Sequence, residues 1–112
     1  MLDYTGFNEN VITFKGDDKD VAGKPMTIAG ENHVVVAPSG NTFSGFGVAS
    51  RDGYITVQMS GHVKARCSDD SLSYGACRVV ADENGGIKAA SEGMLVHVVS
   101  IDREKFTADI IF

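Results

Sequence analysis

The stretch Tyr54–Ser60, which reads Tyr-Ile-Thr-Val-Gln-Met-Ser, carries the clearest strand signal in the chain. Successive side chains of a strand point to opposite faces, so its apolar residues would line one side and its polar residues the other. The preceding Arg51–Asp52–Gly53 has the composition of a tight turn. This region therefore predicts a half-buried strand that is entered through a hairpin.

Turn residues separate strand-like segments along the rest of the chain as well. Its 13 glycines and 2 prolines separate short runs rich in Val, Ile, Thr, Phe and Tyr, which is typical of strands. Besides 54–60, the predicted strands are 10–15, 25–29, 33–37, 46–50, 62–67, 77–81, 87–90, 94–101 and 105–112. The best helical candidate, Asp69–Tyr74, would give at most a turn or two. We predict an all-β fold, a compact β-barrel or β-sandwich of short antiparallel strands.

A weak internal repeat is visible when Gly23–Met59 is laid over Gly75–Ile110. The identities alone do not separate duplication from chance, but both segments read as strand, Glu-Asn turn, strand, loop and hairpin. Alignment on identities places Ala37 on Ala89 and Val48 on Val98. A duplication would give two similar β units closing on one core, joined by the segment 61–74.

The first 20 residues are interpreted as an N-terminal arm containing one strand, ahead of a single β domain at 21–112. One interpretation is an edge strand at Val11–Phe14 preceded by frayed residues. The other is an apolar arm that docks onto a neighbouring subunit. On the second interpretation Leu2, Tyr4 and Phe7 are candidate protein-interface residues.

The charge pattern bears on the class of partner. The 10 Lys and Arg against 15 Asp and Glu give a net charge of −5, without the basic footprint of a nucleic-acid binder or of a protein attracted to anionic membranes. We therefore expect no nucleic acid and no membrane as partners. Cys67 and Cys77 flank a polar loop, so a disulfide between them is one interpretation. The segment Met1–Asn10 lacks the features of a secretory signal, which favours the other interpretation, two reduced thiols.

The reactive side chains do not form a catalytic or metal-binding pattern. Ser60 and His62 are two apart on a predicted strand, where their side chains would run parallel rather than converge. The three histidines, His33, His62 and His97, lie far apart in sequence. We expect no catalytic residues, no metal site and no cofactor.

The order of glycines in the second half carries a resemblance to a known class of proteins. Its elements are Gly61-His-Val63, Tyr74-Gly75, Gly86-Ile87-Lys88-Ala89-Ala90, Gly93 and the terminal Ala108–Phe112. In this order they resemble the small tailed-phage head proteins that decorate or cement capsids. The resemblance loosely includes 43–58, whereas Met1–Gly23 departs from it and leaves the mode of attachment open.

The resemblance implies a β-barrel-like domain that binds the major capsid protein, often as a homotrimer with an extended N-terminal segment. It also implies a place in the virion after assembly in the bacterial cytoplasm, and no catalytic residues.

Three hypotheses of function follow. The first is a non-enzymatic phage or prophage structural protein that binds and stabilises the capsid shell. The second is a small monomeric module that binds a peptide or a carbohydrate through Tyr54 or Tyr74. The third is an enzyme with a polar cluster near His62.

Overall fold

The computed structural model describes residues 10–112, which contain ten strands and no helix. The strands are β1 Asn10–Lys15, β2 Pro25–Gly30, β3 His33–Val36, β4 Gly45–Arg51, β5 Tyr54–Ser60, β6 His62–Arg66, β7 Gly75–Ala81, β8 Ile87–Ala89, β9 Met94–Asp102 and β10 Thr107–Ile111. The prediction of an all-β fold is confirmed. Across these residues no helix is present that could cross a membrane.

The first half, residues 10–60, forms a closed barrel in the order β1-β3-β2-β4-β5. β5 pairs with β1 in antiparallel fashion along its length, and a single parallel pair, Lys15 with His33, joins β1 to β3 and completes the ring. The interior is apolar and almost fully buried, and its core consists of Val21, Met26, Val34, Ile55 and Val57.

The second half, residues 61–112, forms a five-stranded sheet in the order β6-β10-β9-β7-β8. Subtracting five from each strand number gives β1-β5-β4-β2-β3, which is the strand order of the first half. The two halves also share a β-bulge, because the register between β4 and β5 skips Val48 and the register between β9 and β10 skips Val99. The two halves therefore share one strand order, which closes into a barrel in the first half and forms a sheet in the second. This agrees with the duplication suggested by the order of turns.

The structure changes the limits of the repeat unit. β1 lies within the predicted N-terminal arm, yet it pairs with β5 from Asn10 to Lys15 and is part of the barrel. β6 lies within the segment 61–74, which was expected only to join the units, and it is the counterpart of β1. Each repeat thus begins one strand earlier than the sequence alignment indicated.

The turns explain how these strands are connected. Asp52 and Gly53 both have positive φ, 53° and 81° respectively. A two-residue hairpin loop of this kind matches the twist of its flanking strands and confirms the turn predicted at Arg51–Gly53. In the second half, Phe106 has a φ of 57° at the position equivalent to Gly53.

The two halves share a continuous core. Phe46 of β4 is fully buried, and its ring contacts the edges of Phe43 and Phe112 at centroid distances of 5.0 and 5.1 Å. Backbone hydrogen bonds join the halves as well, since Gly40 donates to the Ala81 carbonyl at 2.8 Å. The first-half loop before β4 is therefore packed onto the second-half sheet.

Candidate interaction surfaces

His62 was the centre of the enzyme hypothesis, and the structure pairs it with a carboxylate. Its Nε2 lies 3.0 Å from Oδ1 of Asp109 on the neighbouring strand β10, and both side chains are mostly buried. Ser60 contributes its backbone carbonyl to a hydrogen bond from Gln58. Among residues 10–112 there is no group of three potential metal ligands.

The two cysteines are free thiols in the structure. Burial raises the pKa of Cys67, whose Sγ donates weakly to the Asp69 carbonyl at 3.9 Å. Burial also raises the pKa of Cys77. A raised pKa keeps both thiols protonated near neutral pH, so neither is an activated nucleophile.

The side chain of Asp69 holds its loop in place through hydrogen bonds. Its carboxylate accepts hydrogen bonds from the Ser71 hydroxyl at 2.6 Å, the Ser71 backbone N–H at 2.8 Å and the Ala89 backbone N–H at 2.8 Å. The Ser71 hydroxyl is the main cause of the lowered pKa of Asp69. The adjacent Asp70 faces solvent beside Arg103. The arrangement ties the loop between β6 and β7 to the end of β8.

An uncharged surface covers the outer side of β1, β5 and β4. We call it the uncharged face, and its members are Val11, Thr13, Val48, Ala49, Tyr54 and Thr56. Thr13 stands opposite Thr56, and their hydroxyl oxygens are 3.4 Å apart. Val11, Val48 and Tyr54 are 52%, 46% and 53% exposed. Three neighbouring strands thus present apolar and hydroxyl groups to solvent.

Local sequence explains why this face is apolar. The bulge at Val48 turns two consecutive residues, Val48 and Ala49, toward solvent instead of one. Tyr54 and Thr56 point outward because the alternating Ile55 and Val57 fill the barrel. At one end of this face the cations Lys15 and Arg51 flank Tyr54.

The equivalent face of the second half carries three ionisable side chains. The shared strand pairing places His62 where the first half has Val11, and Lys64 where it has Thr13. Asp109, which pairs with His62, replaces Thr56. Because the pairing of β6 with β10 matches that of β1 with β5, these differences in charge come from the side chains at equivalent positions. The uncharged face is therefore the candidate docking surface.

The residues named from the sequence fall in different places. Tyr54 lies on the uncharged face, whereas Tyr74, also exposed, lies in the loop before β7. Leu2, Tyr4 and Phe7 lie outside the described residues. Val11 was placed on a predicted edge strand and Val48 on a predicted strand, but their position on this face was not predicted from the sequence, since it depends on the pairing of β1 and on the bulge in β4.

Comparison with known proteins gives no relative from which a role could be transferred: no family model matches this chain, and no curated protein matches it.

Proposed function

We propose that this chain is a non-enzymatic structural protein of a phage or prophage that binds and stabilises the capsid shell through the uncharged face. The observation that carries the proposal is the contrast between two equivalent surfaces on one molecule. One surface bears Lys64 and the mostly buried pair of His62 with Asp109, while its counterpart bears Thr13, Val11 and Thr56. Contiguous exposed apolar surface on a soluble protein is typical of a protein contact site.

The chemistry of the uncharged face suits contact with a protein lattice. Tyr54 offers a large amphipathic ring, and aromatic residues are enriched at protein interfaces. The face lies on paired strands of a closed barrel, so its groups need little ordering on binding. A shell presents many copies of one site, and an oligomer bridging several of them gains avidity from individually weak contacts.

The glycine pattern of the second half supports the capsid as the specific partner. That resemblance also suggests a homotrimer, the major capsid protein as the binding surface, and a place in the virion. We include all three in the proposal.

The test is co-sedimentation of the purified protein with assembled shells of the phage or prophage that encodes it. We expect the wild-type protein to pellet with the shells and to raise the temperature at which they break down. Val48→Asp should weaken binding at least tenfold, because it buries a charge in the contact.

The repeat supplies a matched control. Val99→Asp places the same substitution at the equivalent bulge of the second half and should leave shell binding within twofold of wild type. Ala49→Asp and Ser100→Asp form a second matched pair, in case either valine variant fails to fold. Failure of the wild-type protein to bind shells at several salt concentrations would overturn the proposal, as would equal binding by Val48→Asp and Val99→Asp.

A monomeric module that binds a peptide or a carbohydrate is the second candidate. The exposed ring of Tyr54 beside Lys15 and Arg51 favours it, since such a ring can stack on a ligand while the cations bind polar groups. Sedimentation of a stable trimer, together with unchanged binding of sugars and peptides by Tyr54→Ala, would contradict this candidate.

A further inference from the structure

We propose that a basic cleft at the junction of the two halves binds a short acidic peptide segment, one that carries two or three closely spaced Asp or Glu residues. The basic cleft has a volume of about 410 Å³. Its polar and charged lining consists of Lys24, Lys64, Arg66, Asn84, Lys105 and Thr107.

The fold brings these cations together from separate segments. Lys64 and Arg66 are two residues apart on β6, and Arg66 stands opposite Thr107 of β10. Lys105 comes from the turn before β10. Lys24 reaches over from the first half, where its side-chain carbons pass close to Gly85. The basic cleft therefore needs both halves.

The cations that line the basic cleft form no ion pair among residues 10–112, and the carboxylate that stands opposite Lys64, Asp109, pairs with His62 instead. No Asp or Glu is among the lining residues. The ion pairs formed by residues 10–112 involve Arg51, His62 and Arg103, and none involves a cation of the cleft. Four of the ten Lys and Arg residues thus surround one concavity in a protein whose net charge is −5.

This concentration of charge does not follow from the topology. At the equivalent positions of the first half, Thr13 replaces Lys64 and Lys15 is the counterpart of Arg66. Lys105 lies in a turn that is longer than the Asp52–Gly53 turn of the first half. The second half therefore has the cation Lys64 where the first half has the hydroxyl group of Thr13, and its longer turn adds Lys105.

The size and the charge pattern favour an acidic peptide. Alternate residues of a strand are about 6.6 Å apart, so Lys64 and Arg66 match carboxylates two residues apart on an extended peptide. A long uniformly charged polymer such as nucleic acid would extend beyond the cleft onto an acidic protein, where it is repelled. The inference goes beyond the proposed function, because it does not require the partner to be a capsid.

Fluorescence anisotropy with the purified full-length protein tests this inference. The probe is a labelled peptide with three Glu at alternate positions, compared with a peptide that has Gln in their place and with single-stranded DNA of equal charge. We expect the Glu peptide to bind at least tenfold more tightly than either comparison ligand, and its affinity to fall as salt is raised.

Variants separate the cleft from the overall charge. Lys64→Glu, which changes the net charge by the same amount as the control below, should weaken binding of the Glu peptide at least tenfold. Lys19→Glu, on an exposed loop outside the cleft, should change it less than twofold. No binding of the Glu peptide would overturn the inference, as would tighter binding of DNA or an equal loss in Lys19→Glu. Since the assay contains no shells, its result is independent of the shell-binding test.

Discussion

Asp18 and Asp69 occupy equivalent positions in the two halves and make the same backbone hydrogen bond. Oδ2 of Asp18 accepts from the N–H of Val36 at 2.8 Å, and Oδ2 of Asp69 accepts from the N–H of Ala89 at 2.8 Å. Val36 ends β3 and Ala89 ends β8, so each carboxylate ties the loop after the first strand of its half to the third strand. The repeat therefore extends from strand order to individual side chains.

Removing the two carboxylates should have unequal effects on stability. Asp69 accepts three hydrogen bonds, whereas Asp18 accepts one. We expect Asp69→Ala to lower the free energy of unfolding by about 2–3 kcal/mol and Asp18→Ala by about 1 kcal/mol. Urea denaturation measures both values, and an equal loss in the two variants would contradict this account of the loops.

Acid should remove the contribution of Asp69. Its pKa is lowered in the folded protein, chiefly by the hydrogen bond from the Ser71 hydroxyl. An unfolded chain titrates this residue near pH 3.9, so the folded state gains stability above that pH and loses it as the pH falls through the folded pKa. The stability difference between wild type and Asp69→Asn should be constant above about pH 5 and shrink below about pH 4. A stability difference between wild type and Asp69→Asn that grows as the pH falls would contradict this prediction.

The hairpin between β4 and β5 should be sensitive to a methyl group at Gly53. Gly53 has a φ of 81°, and nothing lies within 4 Å of an added Cβ, so substitution would introduce backbone strain without a clash. Gly53→Ala should destabilise the protein by about 1 kcal/mol.

Gly30→Ala is the control for this prediction. Gly30 does not have a positive φ, and an added Cβ would approach only His33, at 3.9 Å. Its effect should stay within about 0.5 kcal/mol. Thermal unfolding compares the two variants, and a larger loss in Gly30→Ala would show that the turn is not the source of the strain.

The thiols should react slowly with iodoacetamide. Burial raises the pKa of Cys67 and of Cys77, which lowers the thiolate fraction at pH 8. We expect both to be alkylated more slowly than a free thiol, with rates that still increase above pH 9. Cys77, the less buried of the two, should react first. Mass spectrometry of peptides from single-cysteine variants measures each rate, and rapid alkylation of Cys67 at pH 7 would contradict its burial.

Local pattern was sufficient for much of the fold. The alternation in Tyr54–Ser60 predicted β5 with its observed limits, and Arg51–Gly53 forms the expected turn. The first half is a barrel rather than one layer of a sandwich because Lys15 of β1 pairs with His33 of β3. These residues are distant in sequence, so no local pattern could predict their contact. The repeat was detected, but hydrogen bonding makes Ala37 equivalent to Ala90 rather than Ala89.

The candidate surfaces were harder to predict for the same reason. Tyr54 was identified from alternation, but the uncharged face also needs β1 beside β5 and a bulge at Val48. The basic cleft joins Lys24 to Lys64 and Lys105, which only the packing of the two halves brings together. The interface role of Leu2, Tyr4 and Phe7 stays a prediction.

The most direct measurement is the affinity for capsid shells of a variant whose two outer faces are made alike. Thr13→Lys combined with Thr56→Asp gives the uncharged face the opposed charges that Lys64 and Asp109 give the second half, without changing the net charge. The control, Lys64→Thr with Asp109→Thr, removes those charges from the second half. We predict that the first variant folds but binds shells at least tenfold more weakly, while the control binds within twofold of wild type. Wild-type affinity in the first variant would contradict the claim that the uncharged face is the contact surface.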